Sequence, residues 1–233
     1  MHSNILCIIA HDKGLRFLSK AISELVSALN SSDVFVDATT LYPNNASLQK
    51  CIDKIQALPL NSEVIFFLHG GNGYISASSV GTGQMPSGGE ISITSDLCCK
   101  KDCIVVACDS NSRTIERFKN NGALSAIGFG FIDFACSEFY DRETLHKTGK
   151  RPTRERFSKY MFRKILVQTI IHVEQHDLSF KSFKPVFHFL CNYYIDDLLL
   201  NSTIDQNKVT LSWKKRIIVS RFLQTMKEGV KVL

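Results

Sequence analysis

The chain has 233 residues, of which 44% are hydrophobic and 21% charged, so a buried core can form and a disordered protein is excluded. No apolar run reaches the roughly 18 residues that a bilayer-spanning helix needs, so we expect no membrane partner. The formal net charge of +6 is uneven, because residues 1–140 hold 10 basic and 13 acidic side chains whereas residues 141–233 hold 18 and 9.

The first part of the chain alternates strand-like and helix-like segments. Continuous apolar runs predict buried strands at 5–10, 34–36, 64–68, 103–107 and 126–132. Apolar residues at helical spacing predict helices at 15–29, 46–58 and 112–120. In a Gly- and Ser-rich stretch, residues 74–75 and 91–93 predict a small hairpin. This alternation indicates an α/β fold, with a mostly parallel sheet and helices on both of its faces.

The second part of the chain is predicted to be a basic helical extension. A breaker segment at 148–152 separates a domain at 1–145 from an extension at 146–233, which packs on that domain or completes it. Helical patterns follow at 154–175, 183–200 and 212–228. Candidate ligand-binding side chains in the extension are Arg151, Arg154 and Arg156. A solvated helix face is the commoner explanation for such charges, and no nucleic-acid-binding pattern accompanies them, so we expect no nucleic-acid partner.

Two chemically capable side chains end consecutive buried strands. His69 follows the strand at 64–68, and Cys108 follows the strand at 103–107. If these strands are neighbours in a parallel sheet, both side chains lie at its carboxyl edge, where ligand sites of such sheets occur. A thiol beside an imidazole is the arrangement of a cysteine nucleophile and its base, and the N–H groups of Gly70 and Cys108 are candidate oxyanion donors. Either residue alone is more often structural, and only the joint placement favours catalysis.

Other strand ends carry three acidic residues and a second histidine. Asp12, Asp109 and Asp133 are candidate substrate-binding residues that would favour a basic substrate side chain by charge pairing. Their alternative role is that of caps or solvated loop acids. His11 also ends a strand, and we rank it below His69 as a base because no glycine follows it.

The eight cysteines are scattered along the chain, which indicates reduced thiols rather than a disulfide framework. The amino-terminal residues do not have the pattern of a signal peptide. We therefore expect a cytoplasmic protein. Cys98, Cys99 and Cys103 lie close together, but a zinc site generally needs a second ligand cluster with suitable spacing, which the sequence does not provide. We therefore predict neither a metal nor a cofactor.

The order of these motifs resembles the caspase-like clan of cysteine peptidases, in particular its CHAT and separase-like branch. Phe-Leu-His69-Gly70 is followed, 39 residues after the histidine, by Val-Val-Ala-Cys108-Asp-Ser, and the run from Gly122 to Gly128 is similar to the strand that follows the nucleophile in CHAT proteins. The resemblance covers about residues 4–135, and Val106 stands where caspases have Gln.

The resemblance implies a sheet of six strands, with His69 as general base and Cys108 as the nucleophile that forms an acyl-enzyme on a protein substrate. It points to a bacterial member, in a branch that often serves in anti-phage or cell-death systems and is activated by a protein partner or a signalling nucleotide. We therefore predict a caspase-like cysteine endopeptidase. The alternatives are a non-catalytic sensor or scaffold that binds a signalling nucleotide through its basic part, and an unrelated flavodoxin-like α/β module.

Overall fold

The computed structural model describes residues 4–12, 14–30, 34–71, 74–77, 95–130, 153–200, 203–204, 209–210 and 213–233. The strands are β1 (Asn4–Ala10), β2 (Phe35–Leu41), β3 (Glu63–Phe67), β4 (His69–Gly71), β5 (Tyr74–Ser76), β6 (Asp102–Val106), β7 (Ser125–Gly128), β8 (Thr203–Ile204), β9 (Val209–Thr210) and β10 (Lys231–Val232). The helices are α1 (Arg16–Leu29), α2 (Asn45–Ala57), α3 (Arg113–Asn120), α4 (Thr153–Gln175), α5 (Phe183–Leu200) and α6 (Trp213–Gly229).

Six strands form one sheet in the order β2-β1-β3-β6-β7-β10. All neighbouring pairs are parallel except the last, in which β10 runs antiparallel to β7. The predicted α/β class with a six-stranded, mostly parallel sheet is confirmed. Because the chain passes from β1 to the edge strand β2 and then returns across β1 to β3, a topological switch point lies between β1 and β3. The crevice at the carboxyl ends of such strands is where open α/β sheets bind ligands.

The two faces of the sheet carry separate cores, because successive side chains of a strand point to opposite faces. Ile65 and Phe67 face a core built with α1, α4, α5 and α6, whereas Val64 and Phe66 face a core built with α2, α3 and residues of β5. The carboxyl-terminal helices therefore share a core with the first strands, and β10 supplies the sixth strand. The domain boundary at 145 stays a prediction, since residues 131–152 lie outside the described residues.

The edge strand β2 continues to Leu41, beyond the predicted strand at 34–36. The apolar pattern ended early because the later residues of β2 include polar side chains, which suit the exposed edge of a sheet. Its outward backbone groups bind nearby side chains where another strand would otherwise pair. The Ala38 N–H donates to Asp37 Oδ1 at 2.7 Å. Ser47 Oγ accepts from the Tyr42 N–H at 2.9 Å and donates to the Thr40 carbonyl at 3.1 Å. These contacts protect the edge from pairing with another chain.

Ser110, two residues after Cys108, joins β6 to the segment that follows β7. Its side chain is fully buried, and Oγ accepts from the Phe129 N–H at 2.9 Å and donates to the Val105 carbonyl at 2.7 Å. The Phe129 ring packs edge-on against Phe162 and Phe187 of the helical layer. Ser110 therefore fixes the turn that carries Cys108 relative to the core.

Replacing Ser110 with alanine is expected to lower the free energy of unfolding by about 1–3 kcal/mol, because the buried Phe129 N–H loses its hydrogen-bond partner. Urea unfolding at neutral pH measures the loss. The matched control is Ser19→Ala, since Ser19 is exposed on α1 and donates only to the Arg16 carbonyl. That control is expected to change the free energy by less than about 0.5 kcal/mol. Equal losses in both variants would contradict the role given to Ser110.

Candidate active site

The two predicted catalytic residues leave neighbouring strands at the same edge of the sheet. β3 and β6 pair in parallel, with Phe67 opposite Val106, and the Leu68 N–H continues the pairing by donating to the Val106 carbonyl at 3.3 Å. His69 and Cys108 are therefore brought to the carboxyl ends of adjacent strands. The sequence analysis expected the two side chains to meet only if these strands are neighbours, and the strands are neighbours.

The backbone of Gly70 lies directly against the backbone of Cys108. A methyl group built on Gly70 would overlap the Cys108 carbonyl oxygen, and it would lie 2.9 Å from Ala107 Cβ and 3.3 Å from the Cys108 nitrogen. Only a residue without a side chain fits this approach. The two candidate oxyanion donors, the N–H groups of Gly70 and Cys108, therefore belong to chain segments in close contact.

His69 faces an acidic side chain from the end of β1. Its Nε2 atom lies 3.5 Å from Asp12 Oδ1, and the two side chains are 20% and 32% exposed. Burial lowers the pKa of His69 below its ordinary value, and the negative charge of Asp12 opposes that shift without cancelling it. This shift favours the neutral imidazole, the protonation state that a general base requires.

Asp12 is itself fixed by the turn after β1, where Oδ1 also accepts from the Gly14 N–H at 2.5 Å. This places Asp12 at the switch point, against His69. Its predicted contact with a substrate side chain stays a prediction. The neighbouring His11 is exposed and stacks on Tyr42 with ring centroids 4.5 Å apart, so its ring lies on the β2 side of the strand end.

Cys108 is half-buried, and an unusual turn follows it. Asp109 has a φ of 55°, in the left-handed region, and its N–H donates to the Gly130 carbonyl at 3.3 Å. This conformation costs a non-glycine residue about 1 kcal/mol. The side chain of Asp109 is exposed beside the candidate nucleophile, as a substrate-binding role would require. Helix α3 begins at Arg113, five residues after Cys108.

The remaining predicted site residues are only partly described. Asp133 and Arg151 lie outside the described residues. Arg154 and Arg156 belong to α4, but the structure describes only their backbone. Other basic residues of α4 bind within the protein. Arg163 pairs with Glu24 of α1 at 3.2 Å, and Lys164 lies 5.0 Å from the centroid of the Tyr194 ring.

The contact between Asp12 and His69 is the feature that sequence reasoning missed. The sequence places both residues at strand ends, but the order of the strands decides which ends are adjacent.

No group of three or more metal-ligating side chains is found in the part of the chain that the structure describes. In that same part, no helix combines the length and apolar character needed to cross a bilayer.

Comparison with protein-family models, with curated proteins and with solved structures gives no significant match to this chain. Function is therefore inferred from the site itself.

Proposed function

We propose that the chain is a caspase-like cysteine endopeptidase in which Cys108 is the nucleophile and His69 the general base. The observation that carries this proposal is the close packing of the His69-Gly70 segment against Ala107 and Cys108, at the carboxyl edge of two adjacent parallel strands. A thiol, an imidazole and backbone N–H groups at one edge are the parts that acyl transfer to a cysteine needs.

The proposed reaction begins when neutral His69 takes the proton of the Cys108 thiol. The thiolate attacks the carbonyl carbon of a peptide bond, and the N–H groups of Gly70 and Cys108 donate to the oxyanion that forms. The imidazolium then gives its proton to the leaving amine, which leaves an acyl-enzyme on Cys108. His69 activates a water molecule that hydrolyses the acyl-enzyme. Asp12 stabilises the imidazolium by its charge and orients the ring.

The sheet supports this assignment at the level of architecture. Five parallel strands with an antiparallel sixth strand at one edge agree with the six-stranded sheet that the resemblance implies. The fold alone hosts many activities, so the proposal depends on the site rather than on the strand order. A cytoplasmic role in bacterial defence or cell death, and an activating nucleotide or protein partner, belong to this proposal as implications of the resemblance.

The experiment that tests the function is a peptide-library cleavage profile of the purified chain, with and without candidate activators such as signalling nucleotides. We expect hydrolysis after Arg or Lys, because Asp109 and Asp133 are the candidate acidic residues for a substrate pocket. Cleavage confined to positions after acidic residues would overturn this specificity. Absence of any cleavage, together with an unreactive Cys108, would overturn the peptidase assignment.

Replacing Asp12 with asparagine is expected to lower kcat at least about tenfold. Asp12 stabilises the imidazolium that forms during the reaction, and a loss of stabilisation equal to one pKa unit lowers the rate by about a factor of ten. Without the carboxylate the pKa of His69 falls further, so the acidic limb of the kcat/KM profile moves to lower pH. Steady-state kinetics across pH measure both effects. Asp53→Asn, on the exposed face of α2, is the control and is expected to change neither. If Asp12 instead contacts substrate, KM for basic peptides rises and the acidic limb does not move.

The alternative of a nucleotide-binding sensor stays a prediction. The described basic side chains Lys159, Arg163 and Lys164 contact Phe17, Glu24 and Tyr194 within the chain. These contacts explain part of the basic segment without a ligand.

A further inference from the structure

The carboxyl-terminal end of α6 contacts the turn that carries Cys108 (residues 108–112), although the two segments are far apart in the sequence. The Asn111 Nδ2 atom donates a hydrogen bond to the Gly229 carbonyl at 2.7 Å. Asn111 lies three residues after Cys108, and Gly229 is the last residue of α6. The hydrogen bond therefore joins the helical layer near the end of the chain to the candidate active site.

The Gly229 carbonyl is open to such a partner because it stands at a helix end. The last four carbonyl groups of a helix have no N–H donor within the helix itself. The chain leaves α6 and forms β10 directly afterwards, where Lys231 and Val232 pair with β7. The Asn111 amide therefore supplies a donor that α6 does not provide.

A close backbone contact holds the same two segments together. A methyl group built on Gly229 would lie 3.1 Å from the Gly130 nitrogen. One built on Gly130 would lie 3.2 Å from the Gly229 Cα atom and 3.3 Å from Asn111 Nδ2. The two backbones approach this closely because neither glycine carries a side chain. Gly130 also accepts from the Asp109 N–H at 3.3 Å, so the end of α6, the segment after β7 and the turn pack as one unit.

Backbone hydrogen bonds hold the turn on the side of the sheet. The Ser110 N–H donates to the Ala107 carbonyl at 3.3 Å, and the Asn111 N–H donates to the Phe129 carbonyl at 3.0 Å. The Asn111 side chain points the other way and holds the turn to α6. Asn111 thus joins the sheet, through its backbone, to the helical layer, through its side chain.

We propose that Asn111 is a positioning residue, which keeps Cys108 in place by tying its turn to the end of α6. Asp109, next to Cys108, has a left-handed backbone, and such strained conformations persist only where surrounding contacts enforce them. Without the bond from Asn111 the turn relaxes, and the Cys108 thiol and N–H are displaced. A misplacement of about 1 Å can cost about a factor of 100 in rate. The kinetic part of this inference rests on the proposed peptidase function, whereas the structural part does not.

The kinetic test compares the unaltered chain with Asn111→Ala and with Asn111→Gln, which keeps an amide donor. Asn111→Ala is expected to lower kcat about 10- to 100-fold and to leave KM nearly unchanged, because the proposal gives Asn111 no contact with substrate. Asn111→Gln is expected to recover part of the lost kcat. A merely structural asparagine would change the amount of folded protein but not kcat per folded molecule. An unchanged kcat in folded Asn111→Ala would therefore overturn the positioning role.

The matched control is Asn121→Ala. Asn121 follows α3, is exposed, and also uses its side-chain amide as a donor, to Ser95 Oγ. Its loss removes the same kind of hydrogen bond away from the turn of Cys108. This variant is expected to keep the kcat of the unaltered chain.

Hydrogen exchange tests the structural part without any peptidase activity. The N–H groups of residues 109–111 are hydrogen-bonded in the folded chain, and they are expected to exchange faster in Asn111→Ala. Gly229→Ala is expected to have the same effect on them from 118 residues further along the chain, since its methyl group crowds Gly130. Residues 18–29 of α1 serve as the internal reference.

The two parts of the inference fail in different ways. Unchanged exchange at residues 109–111 in both variants would overturn the tie between the turn and α6, whatever the chain hydrolyses. Faster exchange in a chain that cleaves no peptide would support the tie and overturn only the proposed function. Faster exchange together with a lowered kcat in Asn111→Ala is the result that we expect.

Discussion

The Cys108→Ala variant is expected to hydrolyse peptides no faster than the uncatalysed background, because the proposed reaction has no other nucleophile. Replacing His69 with alanine is expected to cost a factor of about 10²–10⁴ in kcat/KM, the usual contribution of a positioned general base. Since both residues act in one step, the double variant is expected to be no slower than Cys108→Ala alone. Hydrolysis of the best library peptide, followed over long incubations, measures all three.

The control for Cys108 is Cys99→Ala. Cys99 is an exposed thiol near the opposite edge of the sheet, so its removal is expected to leave kcat/KM unchanged. Residual hydrolysis in Cys108→Ala at a tenth or more of the unaltered rate would contradict the assignment of the nucleophile. A parallel loss in Cys99→Ala would show that both substitutions act through the fold.

The second large effect is expected from Gly70→Ala. The added methyl group meets the Cys108 carbonyl oxygen and Ala107 Cβ, which are backbone and packed core atoms that cannot move aside. Separating these segments displaces an oxyanion donor, which costs about 10²–10³ in kcat, and the crowding costs about 1–3 kcal/mol of stability. Kinetics and thermal unfolding of the same preparation separate the two effects.

Gly122→Ala provides the matched control for Gly70→Ala. Gly122 has a φ of 91°, and a methyl group there would lie 2.9 Å from Cys99 Sγ, near the edge of the sheet opposite the site. This variant is expected to lose stability through backbone strain and crowding while keeping its kcat. If Gly70→Ala retains full activity, the close approach of Gly70 to Cys108 has no catalytic role.

Much of this fold is predictable because its central strands are buried on both faces. Continuous apolar runs placed β1, β3 and β6 to within about a residue of their observed bounds, as is typical of parallel strands covered by helices. The edge strand β2 was predicted too short, since Asp37 and the threonines that follow it do not continue an apolar run. The short β10 carries no periodic signal, because its pairing with β7 is formed by residues distant in sequence.

The candidate site was predictable in part for the same reason. His69 and Cys108 follow strands that the apolar pattern identifies, so their positions at strand ends could be anticipated. The contact between Asp12 and His69 could not, because it depends on β1 lying beside β3 rather than on spacing along the chain. The burial of Glu63 was not predicted either, because a glutamate that begins a strand is ordinarily solvated.

The most direct test of the central claim is the rate at which iodoacetamide alkylates each thiol at mildly acidic pH, read by mass spectrometry of peptides. An ordinary thiol is protonated and slow under these conditions, whereas a thiol activated by an adjacent base reacts faster. We predict that Cys108 is alkylated well before the exposed Cys99, and that His69→Ala abolishes this preference. Alkylation of Cys99 ahead of Cys108, or a Cys108 rate that does not change in His69→Ala, would contradict a Cys108–His69 catalytic pair.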